Sequence, residues 1–598
     1  NGSRNFKFEK LLQSGSSETL QQHALTIEFT SNPAWYAVQA LPYLADYPYE
    51  CAEQTFNRYY ANSLASMIAG SSPKLQAIVS KWNTSDTTAL LSNLQKNEEL
   101  KSALLEETPW VLEAKTEAQQ KKNIALLFDM VRMKENLSAA FEKLKQLQQP
   151  SGGFVWFKGG PDDRYITQYI LSGIGHLKKL HALGRQQDDW KDMIKKAIAY
   201  ADLRIKEDYD YLVRHKVKLD QNNLGNTQIQ YLYLRSLFNE YDIPGASFTA
   251  INYYRKQSRQ YWLQQSKYMQ GMIALSLFRT GDIQTAKDIL KSLKENATIN
   301  EETGMYWKDN IAGYYWQQAP IETQSLLIEA FSEIGKDNKT IDDLKTWLLK
   351  QKQVQDWGTT RATAEACYAL LLQGSDWLNN TPEVSIKLGD KTVSSTEQAE
   401  AGTGYFKKSF EGPFVNPSMG DISVRVASPT GATPSQSSWG AVYWQYFERM
   451  DRITPAATPL KLDKKLFVER NTDRGPVLEP IAENGYLKVG DKIKVRIELR
   501  VDRTMEYVHM KDMRASCMEP VNVLSGYKWQ DGLGYYESTK DASTSFFFGQ
   551  LPKGTYVFEY TLFVTHAGNF SNGITTIQCM YAPEFASHSE GVRVNVEQ

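Results

Sequence analysis

The spacing of apolar positions changes character twice along the chain. From about residue 33 to 374 it is helical, as in Phe56, Tyr60, Leu64 and Met67. From about residue 378 it becomes alternating. Short runs such as Ile422, Val424 and Val426 come first, then the longer Ile493, Val495, Ile497, Leu499 and Tyr556, Phe558, Tyr560, Leu562, Val564. Period-2 runs bounded by Gly and Pro turns predict strands. Helices followed by strands predict separate domains rather than one interleaved sheet. An extended stretch, Leu25-Thr26-Ile27-Glu28-Phe29, precedes the helices but is too short to fold alone. The simplest expectation pairs it with the block at 383 to 448, so that the helical domain is an insertion in a small β domain.

The expected boundaries follow. Residues 1–32 and 378–453 form the discontinuous β domain, and 33–377 the helical domain. A linker, Thr454-Pro455-Ala456-Ala457-Thr458-Pro459, leads into a β-sandwich at 460–598. The helical part repeats irregularly. Gly152-Gly153-Phe154-Val155-Trp156-Phe157 precedes a helix opening near Thr167, and Gly304-Met305-Tyr306-Trp307 precedes one near Thr323. Gln355-Asp356-Trp357-Gly358 precedes one near Thr363, and Asn226-Thr227-Gln228-Ile229 is a weaker copy. These threonines are 60, 96 and 40 residues apart. Helix pairs at this spacing predict a helical array. Gly- and Trp-rich loops at helix N-termini favour closure into an α/α toroid over an open solenoid.

Composition narrows the classes. The 598 residues are 41% hydrophobic and 23% charged, which excludes disorder for the bulk of the chain. Lysine and arginine number 68 against 69 acidic residues, so no basic nucleic-acid footprint is visible. No apolar run reaches the ~18 residues of a membrane span. The chain opens on Asn1 with no signal peptide and reads as a mature form or a fragment. Four cysteines, Cys51, Cys367, Cys517 and Cys579, are too few for a disulfide framework. Cys367 reads as a core thiol, and whether Cys517 and Cys579 bridge is open. No H-E-x-x-H, CxxC or P-loop pattern occurs, and His176 and His181 are spaced off one helical face, so neither metal nor cofactor is expected. Phe546-Phe547-Phe548 reads as a core strand.

One stretch carries chemistry: Tyr47-Pro48-Tyr49-Glu50-Cys51-Ala52-Glu53-Gln54. Pro48 ends one helix and the spacing from Phe56 starts another. Cys51 and Gln54 are then i and i+3 at a helix N-terminus, a spacing that brings side chains together. A helix N-terminus favours thiolate. Attack of Cys51 on the Gln54 side-chain carbonyl expels ammonia and leaves an internal thioester, provided the backbone holds the two groups together. Taken alone, Cys-x-Glu-Gln is also compatible with a buried helix cysteine.

The wider motif, Tyr-Pro-Tyr-x-Cys-x-Glu-Gln at the opening of a toroid, resembles the thioester half of the alpha-macroglobulin family. Further matches are Leu487-Lys488-Val489-Gly490-Asp491, Leu551-Pro552-Lys553-Gly554-Thr555-Tyr556, Thr565-His566-Ala567-Gly568 and Met580-Tyr581-Ala582-Pro583-Glu584. The last resembles the C-terminal Met-Tyr-x-Pro-Glu of bacterial members, and the likeness spans nearly the whole chain. It implies a CUB-like β domain split by an α/α-toroid thioester domain, followed by a terminal macroglobulin-like sandwich. The implied activity is stoichiometric protease inhibition, not turnover. Cleavage of a bait region exposes the thioester, and a protease lysine attacks Gln54. Tyr47, Met580 and Tyr581 are implied to shield the bond, within a motif that includes Pro48, Tyr49 and Glu53. Proteases and upstream macroglobulin domains are the implied partners, and the periplasm or cell envelope the implied location.

Two positions depart from the bacterial pattern: Glu50 replaces a usual Gly, and Ala52 a Gly or Leu. The rim loop from about Phe154 to Asp163 has no histidine but carries Asp162 and Asp163, so amines are expected to outcompete hydroxyls. Two other classes remain open. One is a family member with a silent thioester that serves as a scaffold. The other is an α/α-toroid cyclase or glycan-processing enzyme with appended β domains.

Overall fold

The computed structural model describes residues 2–32, 35–45, 51–71, 77, 130–183, 187–300, 303–354, 357–372, 382–395, 404–427, 438–456, 458–481, 486–580, 582 and 584–598. The N-terminal strands β1 (Gly2–Lys7) and β2 (Gln21–Thr30) pair across the whole helical region. The helices after them are α1 (Trp35–Ala45), α2 (Ala52–Ser71), α3 (Met130–Leu147), α4 (Arg164–Lys179), α5 (Gln187–Arg214) and α6 (Asn226–Ser236). A short hairpin, β3 (Phe154–Val155) and β4 (Asp162–Asp163), precedes α4. Then come α7 (Gly245–Tyr261), α8 (Lys267–Arg279), α9 (Ile283–Glu295), α10 (Pro320–Ala330), α11 (Asn338–Val354) and α12 (Thr360–Leu371).

Among the described residues the even-numbered helices form an inner ring. Each packs on the next, and α12 packs back on α2, which closes the circle. The odd-numbered helices lie outside, α3 on α2, α5 on α4, α9 on α8 and α11 on α10. This is an α/α toroid. Its inner helices are buried almost all round, as in Ile166 to Leu177 of α4. Such helices place polar groups inside, and these must be paired. Glu329 of α10 accepts hydrogen bonds from Tyr233 (2.6 Å), Tyr368 (2.7 Å), Arg279 (2.6 Å) and Lys179 (3.0 Å), tying α10 to α6, α12, α8 and α4. Burial pushes the Glu329 carboxyl up, but Lys179 and Arg279 outweigh it and hold it well below the usual range.

The repeated loops have a steric cause. Gly304 has φ +73°, and a Cβ there would stand 2.0 Å from the Asp343 carbonyl oxygen. Gly152, with φ +91°, would meet the Lys196 carbonyl at 2.2 Å. Glycine lets each loop pass under an outer helix. The repeat glutamine Gln324 then donates to Met305 O (2.8 Å) and Leu344 O (3.1 Å), fastening loop to helix.

After the toroid come β5 (Glu383–Leu388), β6 (Lys391–Ser394), β7 (Tyr405–Glu411), β8 (Asp421–Ala427) and β9 (Trp439–Phe447). One antiparallel sheet has the order β1-β8-β5-β6 and a second β9-β2-β7. In register, Ile27 faces Val442 on one side and Lys408 on the other. Leu25, Ile27, Ile386 and Phe406 lie in the shared core.

The last block packs a five-stranded sheet on a six-stranded one. The first contains β10 (Leu460–Thr472), β11 (Lys492–Val501) and β14 (Gly554–Val564), and the second β12 (Met505–Met513), β13 (Ser543–Leu551) and β15 (Thr575–Cys579). The alternation is literal: Ile493, Val495, Ile497 and Leu499 are all buried. Phe546 and Phe548 join them in the core, while Phe547 stacks on His509. Among the described residues no disulfide forms. Cys517 is a buried thiol, and Cys579 donates its thiol to Glu506 O at 3.5 Å.

Candidate functional site

Cys51 stands immediately before α2 and is buried. Its carbonyl accepts the first helical bond, from Thr55 N–H at 2.9 Å. The Ala52 N–H, which no helix carbonyl can satisfy, donates to Trp156 O at 2.9 Å on the hairpin loop. The rim loop therefore clamps the start of the helix that carries Cys51 and Gln54. Trp156 stacks on Tyr165 with ring centroids 6.0 Å apart, and Tyr165 meets Trp316 at 5.4 Å.

The charge state of Cys51 corrects one expectation. The helix N-terminus does act on the thiol, because the backbone N–H groups of Gln54 and Glu53 favour the thiolate. Burial is the larger effect and raises the thiol, and the nearby Glu53 carboxylate adds to the rise. Cys51 is therefore a protonated, shielded thiol in this conformation rather than an activated one. For a leaving group the consequence is protective, since a thiol of higher pKa leaves more slowly.

Gln54 is partly buried, and its side-chain carbonyl oxygen Oε1 is fully enclosed with no hydrogen-bond partner. An enclosed amide carbonyl without a donor costs about 1–3 kcal/mol. Thioester carbonyls are weaker acceptors than amide carbonyls, so this place suits a thioester better than the amide.

Glu53, between them, turns inward. Its Oε1 accepts from Asn57 Nδ2 of its own helix (2.6 Å) and from Thr360 Oγ1 at the start of α12 (2.7 Å). Burial raises its carboxyl, and these two donors oppose the rise. Asn57 in turn accepts from Tyr169 OH at 2.7 Å. Arg361, next to Thr360, donates to Tyr165 OH (3.0 Å), Tyr268 OH (2.9 Å) and Trp316 O (3.1 Å). The Cys51–Gln54 stretch is thus wired into the inner ring and the aromatic rim. Asn57, Thr360, Arg361 and the Trp156 carbonyl were not singled out for the site from the sequence. Their partners lie up to 307 positions away, and Trp156 and Arg361 stood in the sequence only as parts of the repeats.

The other candidates fall as follows. Asp163 caps α4, accepting from Ile166 N–H at 3.0 Å, and Asp162 accepts from Ser151 at 2.6 Å, so both build the hairpin. His176 is buried between Tyr233 (2.7 Å) and the face of Tyr368 (3.8 Å), and burial lowers it to about 4. No cluster of His, Cys, Asp or Glu among the described residues has the makings of a metal site. Met580 is buried and its N–H donates to Tyr507 O at 2.9 Å. Tyr47, Pro48, Tyr49, Glu50 and Tyr581 lie outside the described residues.

Residues 460–584 match the family model for the bacterial alpha-2-macroglobulin MG10 domain. That match bears out the resemblance to bacterial alpha-macroglobulins. No curated protein matches the chain. Among solved structures, the chain is similar to native alpha-2-macroglobulin from Escherichia coli spanning domain MG7 to the C-terminus. Identity is 12%, TM-score 0.35, with 97% of this chain and 78% of that one covered. Trypsin-activated E. coli alpha-2-macroglobulin is 13% identical with TM-score 0.43, covering 100% and 36%. Salmonella alpha-2-macroglobulin reacted with methylamine is 13% identical with TM-score 0.34, covering 99% and 33%. The chain spans about a third of the length of these last two.

Proposed function

We propose that this chain is the thioester-bearing C-terminal part of a bacterial alpha-macroglobulin, which traps proteases by acyl transfer from Gln54. The observation that carries the reading is the pairing of a buried Cys51 at a helix N-cap with a Gln54 carbonyl enclosed without a donor. In formation, the Cys51 sulfur bonds to the Gln54 side-chain carbon, and the amide nitrogen leaves as ammonia with the thiol proton. In use, a protease lysine attacks the same carbon. The C–S bond breaks, an amide forms, and the amine proton ends on the Cys51 sulfur. One chain performs one such transfer, so it is an inhibitor rather than an enzyme.

The toroid boundary at 33–377, the split β domain and the sandwich at 460–598 are part of this proposal. Met580 and Tyr581 from the sandwich, with Tyr47, cover the bond. Shielding excludes water, and the raised Cys51 thiol slows departure of the sulfur. Proteases and upstream macroglobulin domains are the partners, in the periplasm or cell envelope. No described helix is long and apolar enough to cross a membrane.

Intact mass is the test. The protein should weigh about 17 Da less than its sequence, one ammonia, and Cys51 should resist alkylation until methylamine is added. Incubation with methylamine should restore the thiol and leave a methylamide on Gln54, with glycerol esters minor. A protein of full sequence mass with Cys51 open to alkylation would instead identify a scaffold with a silent site.

A further inference from the structure

Five inner helices, α4, α6, α8, α10 and α12, line a small cavity at the centre of the toroid. Its wall includes Ser172 and His176 of α4, Gln230 of α6, Tyr268 of α8, and Arg361 and Glu365 of α12. The space open to the centre of a water molecule is about 10 Å³. That is room for about one water.

The protons on this wall are decided by its neighbours. Glu329 is ionised, because Lys179 and Arg279 outweigh burial and hold its carboxyl well below the usual range. It accepts the one Tyr233 hydroxyl proton at 2.6 Å. His176 Nε2, 2.7 Å from the same hydroxyl oxygen, is then the donor of that pair. Burial lowers His176 to about 4, so the ring is neutral and its Nδ1 is bare and can only accept. The parallel stack of His176 on Tyr368 of α12 holds the ring in this orientation. Nδ1 faces Glu365 Oε2 at 3.8 Å, beyond hydrogen-bond length. Glu365 has no hydrogen bond to any other group among the described residues. Two acceptors therefore face each other across the cavity with no donor between them.

Other groups on the wall complement them. Tyr268 OH accepts from Arg361 Nη2 (2.9 Å) and keeps its own proton to give. Gln230 Oε1 accepts from Gln168 (2.7 Å), which leaves the Gln230 N–H groups uncommitted among the described residues. Ser172 gives its proton to Gln168 O (2.8 Å) and keeps an oxygen that accepts. Arg361, bonded to Tyr165, Tyr268 and Trp316, adds a positive charge that disfavours a cation in the same space.

We propose that the toroid centre is a binding site for one water molecule, which bridges His176 Nδ1 and Glu365 and so ties α4 to α12. The water donates to Nδ1. It donates to Glu365 when that group is a carboxylate and accepts from it when it is an acid, so one ligand fits both states. Tyr268 and Gln230 supply donors to its oxygen, and Ser172 Oγ takes the second proton when Glu365 does not. Helices α4 and α12 are the ring neighbours of α2, which begins after Cys51. His176 and Glu365 are therefore positioning residues that brace the ring on both sides of α2. The bridge does not depend on the thioester.

Crystallography of the full chain, at a resolution that shows ordered water, tests the bridge. One peak is expected within about 2.7–3.2 Å of both His176 Nδ1 and the Glu365 carboxyl. Glu365→Gln retains a polar partner and should retain the peak, whereas Glu365→Leu should lose it. A direct bond between Glu365 and His176, a wild-type cavity without the peak, or a peak unchanged in Glu365→Leu would overturn the proposal. Nitrogen-15 NMR of the histidines reads the protons in solution. His176 should carry its proton on Nε2, and its Nδ1 resonance should move in Glu365→Leu as the donor is lost. A His176 proton on Nδ1 would overturn the bridge. If Glu365→Leu does not fold, the wild-type map and the wild-type tautomer still decide.

Discussion

The Thr360 hydroxyl donates to Glu53 across 2.7 Å, and this one bond joins the first turn of α12 to the first turn of α2. Both helices belong to the inner ring, and their contact closes it. The same carboxylate oxygen takes Asn57 Nδ2, so Glu53 is held from two helices beside Cys51 and Gln54. Cys51 and Gln54 are thus located at the seam where the toroid shuts.

Replacing Thr360 with Val removes one donor to a largely buried carboxyl while nearly conserving volume. A hydrogen bond to such a group is worth about 1.5–3 kcal/mol. Thr360→Val should therefore lower the unfolding free energy by about 2 kcal/mol in urea titration, whereas Thr360→Ser should recover most of it. The fraction of molecules that have lost ammonia should fall in Thr360→Val and return in Thr360→Ser. An unchanged stability and an unchanged mass would mean that the bond positions nothing.

The enclosed Gln54 carbonyl makes a separate prediction. In a Cys51→Ala background no thioester forms, and the orphaned amide oxygen remains a cost. Substituting Gln54→Met in that background should raise stability by about 1 kcal/mol, because an apolar group of similar length needs no donor. Chemical denaturation of the two proteins measures the difference directly. A loss of stability would show that the Gln54 amide is satisfied in solution.

Much of this was legible in the sequence, and the boundary is physical. Period-2 and helical patterns are local, so Ile493 to Leu499 and Phe56 to Met67 declared their elements. The pairing of β2 with β9 and β7 followed from a strand with no neighbour of its own. The Cys51–Gln54 spacing was visible because helix geometry puts i and i+3 together. Thr360, Arg361 and the Trp156 carbonyl were not read as parts of the site, because only tertiary packing, ring closure for the first two and the α4 hairpin for the third, brings them there. The sign of the Cys51 shift was misread for a related reason. A helix N-terminus is visible in sequence, whereas the burial that outweighs it is a tertiary property.

The repeat glycines offer a steric test. Gly304→Ala places a methyl carbon 2.0 Å from a backbone oxygen of α11 at φ +73°, where relief requires moving the helix. Gly358 has a similar φ of +79° but open space around its Cβ position. Gly304→Ala should cost several kcal/mol, whereas Gly358→Ala should cost only about 1–2 kcal/mol from backbone strain. Thermal unfolding of the pair separates close approach from conformation. Equal losses would mean that the loop relaxes freely under α11.

Glu365 and His176 make the toroid interior sensitive to pH in opposite directions. Glu365 Oε2 lies 3.8 Å from His176 Nδ1. Burial raises Glu365 to about 8, with Arg361 opposing, and lowers His176 to about 4. A carboxyl raised in the fold contributes stability below its unfolded value of 4.5, and that contribution is lost as pH climbs to about 8. A histidine lowered in the fold acts the other way, and stability is lost as pH falls from 6.5 toward about 4. Between about 4.5 and 6.5 the two slopes offset each other, and above that window only Glu365 acts. Glu365→Gln should differ least from the wild type near pH 4.5 and exceed it at pH 8 by up to about 4 kcal/mol, the order of three pKa units. Urea midpoints at the two pH values measure this. A constant difference between the proteins would mean that Glu365 does not exchange its proton on unfolding.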